Sequence, residues 1–587
     1  MLNAGRLRIT FFGAFAVTLL VQFYTAFNHQ LFGDEAFYWL EGQHLDWSYA
    51  ELPGWTQWLA ALTDWLLPRT PGFLRLPSLL AAISLPVLAM AMARTLQANQ
   101  IQVYTTGLLT LSLPMLTLTH TLALPDVWLV FFGMLSVWQL LLAVHRNGQR
   151  HYLMLGLLLA LGINVHVRFW LLVMIAGLAT LWLYRHQRDV VMSLLSKTLP
   201  VMLLGFVPVL MFNLKHQFPL FMFQFQDRHP WQFQPDHGWF FLSEALVATP
   251  VVFALCTIVV LRHFNAVNPA IKLVVQLAVW HWLFYALVGF YSDNLRFSLH
   301  WTLFSYVLLL IIAGSHYRVN WLLKAAIVSG VLCAWIMPLA ILNWTREHQN
   351  NRPFQDEFTA NIRGWETLAD KTGQLIRKWQ PDQLVADHFM TLSTLRYHST
   401  AAVHWTVLPH PLNRKHGREV QLKLMGYSAD NDTHTKSLVV IEHSALTTSQ
   451  QIPFYQDACL QLGGLKWVDS LNIDNGLKTY HFFTNQTTGC DLPTISYVDM
   501  EDGLLSGWAV IDKDQVPQIA LVSNGQVWQA DSTVGPLGSN AIFSALSNET
   551  HQLLRFSFSS ADAIAHPGQL RFTYTDRITY GSTLYPP

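Results

Sequence analysis

The chain has 587 residues, of which 52% are hydrophobic, 13% aromatic and only 12% charged, about half the charge of an ordinary soluble domain, which carries roughly 25%. Lys+Arg and Asp+Glu are both 36, a balance that points away from a nucleic-acid partner. The length exceeds what a single core fills, and 23 Trp fit the aromatic belts of a membrane protein.

A membrane span needs about 20 apolar residues. About eleven segments qualify, roughly 9–27, 77–96, 102–119, 124–144, 152–166, 169–184, 197–214, 241–261, 271–290, 298–315 and 320–342. Arg6 and Arg8 before the first segment imitate a signal peptide, but no small-residue cleavage site follows, so an uncleaved span is expected. Arg94, His145-Arg146, Arg185, Arg262 and His316-Tyr317-Arg318 follow the even-numbered segments. Basic exits mark the cytoplasmic side. The opposite ends then face outward, and an odd count puts the C-terminal part outside as well.

The expected organisation is a transmembrane domain over 1–342 with an outer loop at 28–76, an α/β domain over 343–490 and a β-sandwich over 491–587. In the α/β part, Trp365–Trp379 has helical spacing, and Leu384-Val385-Ala386 and Ser437-Leu438-Val439-Val440-Ile441 read as buried strands. After 491, short runs such as Gly507-Trp508-Ala509-Val510-Ile511 and Leu570-Arg571-Phe572-Thr573-Tyr574 alternate with Gly, Asn and Asp turns, as in an immunoglobulin-like sandwich. Cys256 and Cys333 fall in apolar segments and read as core residues. Cys459 and Cys490 lie in the outer part, where a disulfide is permitted but not demanded.

The first stretch with chemical content is Gly33-Asp34-Glu35-Ala36-Phe37-Tyr38-Trp39, two adjacent carboxylates just past the first span. Asp34 suits a general base, with Glu35 orienting it or holding a metal; the alternative is a helix cap. Glu51, in Tyr49-Ala50-Glu51-Leu52-Pro53-Gly54-Trp55, stands near a helix N-terminus that Pro53 suits, and Asp126, in Leu124-Pro125-Asp126, opens another. Acids at this depth are costly unless paired or functional. Arg168, Arg228 and Arg296 run against the orientation bias and are candidates for binding an anion such as a phosphate; the alternative is snorkelling to lipid headgroups. His281 and His300 sit in apolar segments, where packed and hydrogen-bonded histidines are the usual case.

Taken in order, these stretches resemble the GT-C glycosyltransferases, in particular the bacterial protein-mannosyltransferase-like and aminoarabinose-transferase-like branch. The Gly33–Trp39 stretch is similar to the branch's first-loop Asp-Glu motif and Leu124-Pro125-Asp126 to its Pro-Asp turn. Gly162 to Phe169 matches a Gly…Lys-Tyr stretch with Arg168 at the Lys position. Phe223-Gln224-Phe225-Gln226-Asp227-Arg228 is similar to a Phe-Gln…Arg loop, and His300-Trp301 to a His-Trp span start. The resemblance covers about 1–400 and implies a GT-C fold and inverting transfer from a polyprenyl-phosphate sugar. It implies Asp34 as base, supported by Glu35 and Asp126, and Glu51, Arg168, Arg228, His300 and Trp301 around the substrate. Where the family has an acid followed by His-Pro-Pro or Lys-Pro-Pro, this chain has Glu51-Leu52-Pro53-Gly54. In some relatives an acid here helps hold a divalent metal, a role the resemblance extends to Glu51.

The implied setting is a bacterial inner membrane with the C-terminal domains in the periplasm. The implied acceptor is a lipid, glycan or protein hydroxyl, with membrane lipids around the spans. The rival expectations are a transporter for lipid-linked glycans, which needs neither the acidic pair nor a large outer domain, and a glycan ligase or polymerase of the same fold.

Overall fold

Long apolar helices dominate the first part of the computed structural model. It describes residues 4–229, 231–291, 299–345, 360–429, 435–473, 478–486, 489–491, 493–501, 504–512, 516–523, 526–537, 551–558, 568–575 and 578–584. By their contacts they divide into two units, Met1–His29 with Glu41–Asn343, and Gln30–Leu40 with Trp344–Pro587.

In the first unit, Ala4–Asn28, Pro71–Thr95, Pro125–Arg146, Val167–Tyr184, Pro269–Gly289 and Trp321–Asn343 are each long and apolar enough to cross a membrane. Two bent pairs, Arg188–Leu203 with Phe206–Lys215 (43°) and Pro235–Val247 with Pro250–His263 (103°), raise the count among the described residues from 6 to as many as 8. This is a multi-pass membrane protein. The expected eleven segments are all helical, but three are not long spans. Segment 102–119 is split into Gln100–Thr110 and Pro114–Thr119, because Pro114 forces Leu113 out of the helical region, to φ −99° and ψ 102°. Segment 152–166 is the 15-residue helix Gln149–Ile163, and 298–315 becomes a 3₁₀ turn, Leu299–Thr302, before the helix Leu303–His316. The stretch 28–76 between the first two long helices holds the shorter helices Gly33–Gly42 and Trp55–Leu66.

Close packing fixes these helices. Gly314 lies against Thr106, where a Cβ would fall 2.3 Å from Oγ1, so the helices Gln100–Thr110 and Leu303–His316 touch almost backbone to backbone. The buried Arg75 donates from Nη1 to the carbonyls of Ala26 (2.7 Å) and His29 (3.0 Å), satisfying acceptors that the end of Ala4–Asn28 would otherwise leave open. Cys256 is buried as expected; Cys333 is exposed on its helix rather than in the core.

The second unit holds an α/β sheet and a sandwich. Strands β1 (Gln383–Ala386), β2 (His404–Val407), β3 (Ser437–Glu442), β4 (Lys466–Ile473) and β5 (Lys478–Thr484) run in the order β2-β1-β3-β5-β4. The first three are parallel, and β5 is antiparallel to both β3 and β4. β3 and β5 are both buried along their whole length; β3 reads as an apolar run for that reason, whereas β5 carries Lys478 and His481 among its buried residues. The sandwich pairs a sheet of β6 (Ile495–Glu501), β7 (Leu504–Asp512), β10 (Asp531–Gly535) and β11 (His551–Phe558) with one of β8 (Gln518–Ser523), β9 (Gln526–Gln529), β12 (Gly568–Thr573) and β13 (Ile578–Leu584). Leu505, Ala509 and Phe556 of one sheet and Leu521 and Phe572 of the other share its core. A disulfide joins Cys459 to Cys490.

Candidate active site

In the first unit, local backbone geometry aims three separate segments at one cluster. Pro125 starts the helix Pro125–Arg146 and leaves Asp126 in its first turn. His166 caps Val167–Tyr184, its Nδ1 accepting the Arg168 N–H at 3.0 Å, and so sets Arg168 at that helix's start. A π-turn at Phe223–Asp227, closed by the Arg228 N–H on the Phe223 carbonyl at 2.9 Å, puts Gln224 and Arg228 on one side.

The cluster is continuous. Arg168 Nη2 donates to Asp126 Oδ1 at 2.7 Å, and His300 Nε2 lies 3.2 Å from the same oxygen. The guanidinium carbons of Arg168 and Arg228 lie 5.2 and 5.6 Å from the centre of the Trp301 ring. Arg228 Nη1 donates to Gln224 Oε1 at 2.7 Å, and Gln224 Nε2 to the Glu51 carbonyl at 2.6 Å. Five of the expected residues, Asp126, Arg168, Arg228, His300 and Trp301, therefore meet through side chains, and Glu51 joins through its main chain. Two guanidinium groups against one carboxylate leave a positive excess on an aromatic floor, the chemistry of a site for an anionic group with an apolar neighbour. His300 stands in the 3₁₀ turn rather than inside a span. His281 is buried and bonded to Ser305 Oγ at 2.8 Å, the packed alternative. Arg296 lies outside the described residues. Among the described residues no group of three His, Cys, Asp or Glu side chains is placed to hold a metal, Glu51 included. The described residues therefore do not fit a metal site.

In the second unit, the helix Gly33–Gly42 starts with the acidic pair. Adjacent helical positions point about 100° apart, and the two acids divide accordingly. Glu35 is fully buried, and its Oε2 accepts the Phe32 N–H at 2.9 Å, satisfying one of the helix's open donors. Asp34 keeps 31% of its side chain exposed and pairs with Arg418, Nη1 to Oδ1 at 2.8 Å. Arg418 escaped the sequence reading, because it sits in a polar stretch with no periodic signal.

A second set the sequence did not reveal closes the ends of β1 and β3. Both Asp387 oxygens accept main-chain N–H groups, from His388 (2.8 Å) and Glu442 (2.7 Å). His388 Nε2 lies 3.3 Å from Glu442 Oε2, and the Tyr480 hydroxyl donates to that oxygen at 2.9 Å. Burial pushes the Asp387 carboxyl up. Burial alone would do the same to Glu442, but Lys478 and His388 overcome it and hold Glu442 at about 2. Burial opposes charge on His388, yet Asp387 and Glu442 raise it above its ordinary value.

The family described as dolichyl-phosphate-mannose-protein mannosyltransferase matches residues 53–212, a segment that contains Asp126 and Arg168 and begins after Asp34. Among solved structures the chain is similar to ArnT from Cupriavidus metallidurans bound to undecaprenyl phosphate, with 13% identity, a TM-score of 0.57, and coverage of 82% of this chain and 98% of that one. The apo ArnT structure matches equally, at 12% identity, TM-score 0.57 and the same coverage. Arabinofuranosyltransferase AftD from Mycobacteria aligns at 10% identity and TM-score 0.44, over 100% of this chain and 63% of that one. No curated protein matches the sequence.

Proposed function

We propose that this chain is a membrane glycosyltransferase of the GT-C superfamily and that it moves a sugar with inversion from a polyprenyl-phosphate carrier to a hydroxyl acceptor at the outer face of a bacterial inner membrane. The observation that carries this reading is the Arg168–Trp301–Arg228 arrangement anchored by Asp126, found in a chain that shares its fold with a transferase solved with undecaprenyl phosphate. The two guanidinium groups take the phosphate and stabilise the charge that grows on it as the sugar departs. Trp301 and its aromatic neighbours His229 and Tyr285 give the adjoining sugar or prenyl carbon an apolar surface. Asp34 receives the proton of the attacking hydroxyl, and buried Glu35 fixes the helix that carries it.

The outer-face assignment draws on helix polarity. Pro125–Arg146 ends in His145 and Arg146, and Val167–Tyr184 is followed by Arg185, while Asp126 and Arg168 stand at the opposite ends. The acceptor class is left as a hydroxyl of lipid, glycan or protein. Membranes with and without the chain, incubated and then extracted, test the reading through the ratio of free to sugar-linked polyprenyl phosphate. Transfer raises the free lipid; an unchanged ratio in membranes that contain both folded chain and sugar-linked lipid rejects it.

A further inference from the structure

Asp34 is held by the α/β part of its own unit. Arg418 opens the helix Arg418–Leu424 and is only 3% exposed. Its guanidinium reaches Asp34 across 384 positions of sequence. It also lies 4.0 Å from the Phe389 ring centre, 4.5 Å from Phe37 and 5.7 Å from Tyr38. Phe37 and Phe389 meet edge to face at 5.3 Å. The same helix start is tied down on its other side. The Gly33 N–H donates to the Asn361 carbonyl at 3.1 Å, and a Cβ on Gly33 would fall 2.5 Å from Met390 Sδ.

The exposure of the two partners is unequal. Arg418 is enclosed by aromatic rings, which fix the plane of its fork. Asp34 is 31% exposed, and among the described residues its Oδ2 makes no hydrogen bond. One carboxylate oxygen is thus clamped, and the other carries no hydrogen bond from the described residues, on a side chain that is part exposed. A short side chain held at one oxygen cannot rotate freely about χ2, so the direction of Oδ2 is set by Arg418.

We propose that Arg418 is a positioning residue for the transfer, holding Oδ1 so that Oδ2 meets the acceptor hydroxyl. The inference rests on the reading of Asp34 as the base. In the step, the hydroxyl proton passes to Oδ2 and the acceptor oxygen bonds to the anomeric carbon. The bond from that carbon to the phosphate oxygen breaks, and polyprenyl phosphate leaves with the electron pair. Arg418 neither gives nor takes a proton; it acts only through Asp34. The α/β domain, distant in sequence from the acidic motif, then becomes a working part of the catalytic apparatus.

The test uses membranes holding the full-length chain, with release of free polyprenyl phosphate from the endogenous lipid-linked sugar as the readout and detergent-extracted protein for melting temperature. Asp34→Asn lowers turnover by about a hundredfold, the usual worth of a positioned base. Arg418→Gln lowers turnover by about tenfold through misplacement, with half-saturation for the lipid donor unchanged. Arg418→Lys keeps the charge but not the stacked fork, and falls between Gln and wild type. In the Asp34→Asn background, Arg418→Gln removes nothing further from the residual rate, because the two act as a unit. Additive losses, or wild-type turnover in Arg418→Gln, overturn the role of Arg418 and leave Asp34 as the base. Wild-type release by Asp34→Asn overturns the reading of the base itself. If Arg418→Gln melts below the assay temperature, folded Arg418→Lys decides: reduced turnover at unchanged donor half-saturation supports positioning, and wild-type turnover overturns it.

Discussion

Asp126 and Arg168 meet at 2.7 Å, each in the first turn of its own helix, and 42 positions of sequence separate them. The pair is mostly buried, with side chains 10% and 13% exposed. Such a pair is weak evidence for stability, but here it fixes where the Arg168 guanidinium lies. Asp126 engages Nη2 of the guanidinium and His166 Nε2 accepts from its Nε at 3.2 Å, so the fork is fixed on two sides. Arg168→Lys removes the planar fork and keeps the charge. It is expected to raise half-saturation for the lipid donor by about tenfold, equivalent to roughly 1.4 kcal/mol, with little change in melting temperature. Asp126→Asn leaves Arg168 without its carboxylate and is expected to lower both donor affinity and stability. Donor titration in membranes, alongside a thermal melt, separates the two effects.

Trp301 is the shared neighbour of both arginines. A Phe in its place keeps an aromatic face and gives up the indole's stronger attraction for cations, a loss of about 0.5–1 kcal/mol. Trp301→Ala removes the floor entirely. Donor half-saturation should therefore rank wild type, Trp301→Phe, Trp301→Ala, from tightest to weakest. Equal affinity for all three would show that the ring plays no part in binding.

The membrane class was legible because lipid exposure leaves a one-dimensional trace of long apolar runs and basic exits. The interruptions were less legible. Pro114 splits one run, and a 103° bend at Thr249–Pro250 folds another, because each break depends on backbone geometry within an otherwise uniform apolar pattern. Arg168 and Arg228 stand out in the sequence as basic residues against the orientation bias, and Trp301 through the resemblance of His300-Trp301 to a span start. The bond from Gln224 to the Glu51 carbonyl did not, since a main-chain acceptor leaves no mark on residue type. Arg418 and His388 were invisible for a related reason: each is explained by a partner brought to it by tertiary folding.

Glu35 offers a direct contrast with its neighbour. Its carboxylate faces the start of its own helix, where it accepts the Phe32 N–H. Glu35→Gln retains an acceptor of the same shape and is expected to keep most of the transfer rate. Glu35→Ala loses the cap, at about 1 kcal/mol, and opens a small void, so the melting temperature falls. A Glu35→Gln protein that folds normally but transfers nothing would assign the carboxylate a chemical part.

The pH dependence of the α/β sheet follows from its buried charges. Glu442 is held at about 2, below its ordinary value near 4.5, so its stabilisation is fully present above that value and is lost as pH falls toward 2. His388 is raised above 6.5, so its stabilisation is fully present below 6.5 and is lost as pH rises through the folded value. Asp387, raised by burial, acts against Glu442 above pH 3.8, since its ionised form is the one the interior disfavours. The sheet should therefore weaken on the alkaline side as His388 gives up its proton, while the sandwich, whose core is apolar, provides an internal reference. Glu442→Gln leaves the buried Lys478 without this carboxylate and His388 with Asp387 alone as counter-charge, and should cost roughly 3–5 kcal/mol at neutral pH. It should also reduce the alkaline loss, because His388 then has Asp387 but not Glu442 to raise it. Hydrogen exchange of β1 and β3 peptides, referenced to sandwich peptides in the same full-length molecule from pH 5 to 9, checks both. If wild type and Glu442→Gln show the same alkaline slope, the Glu442–His388 pair is not what protects the sheet.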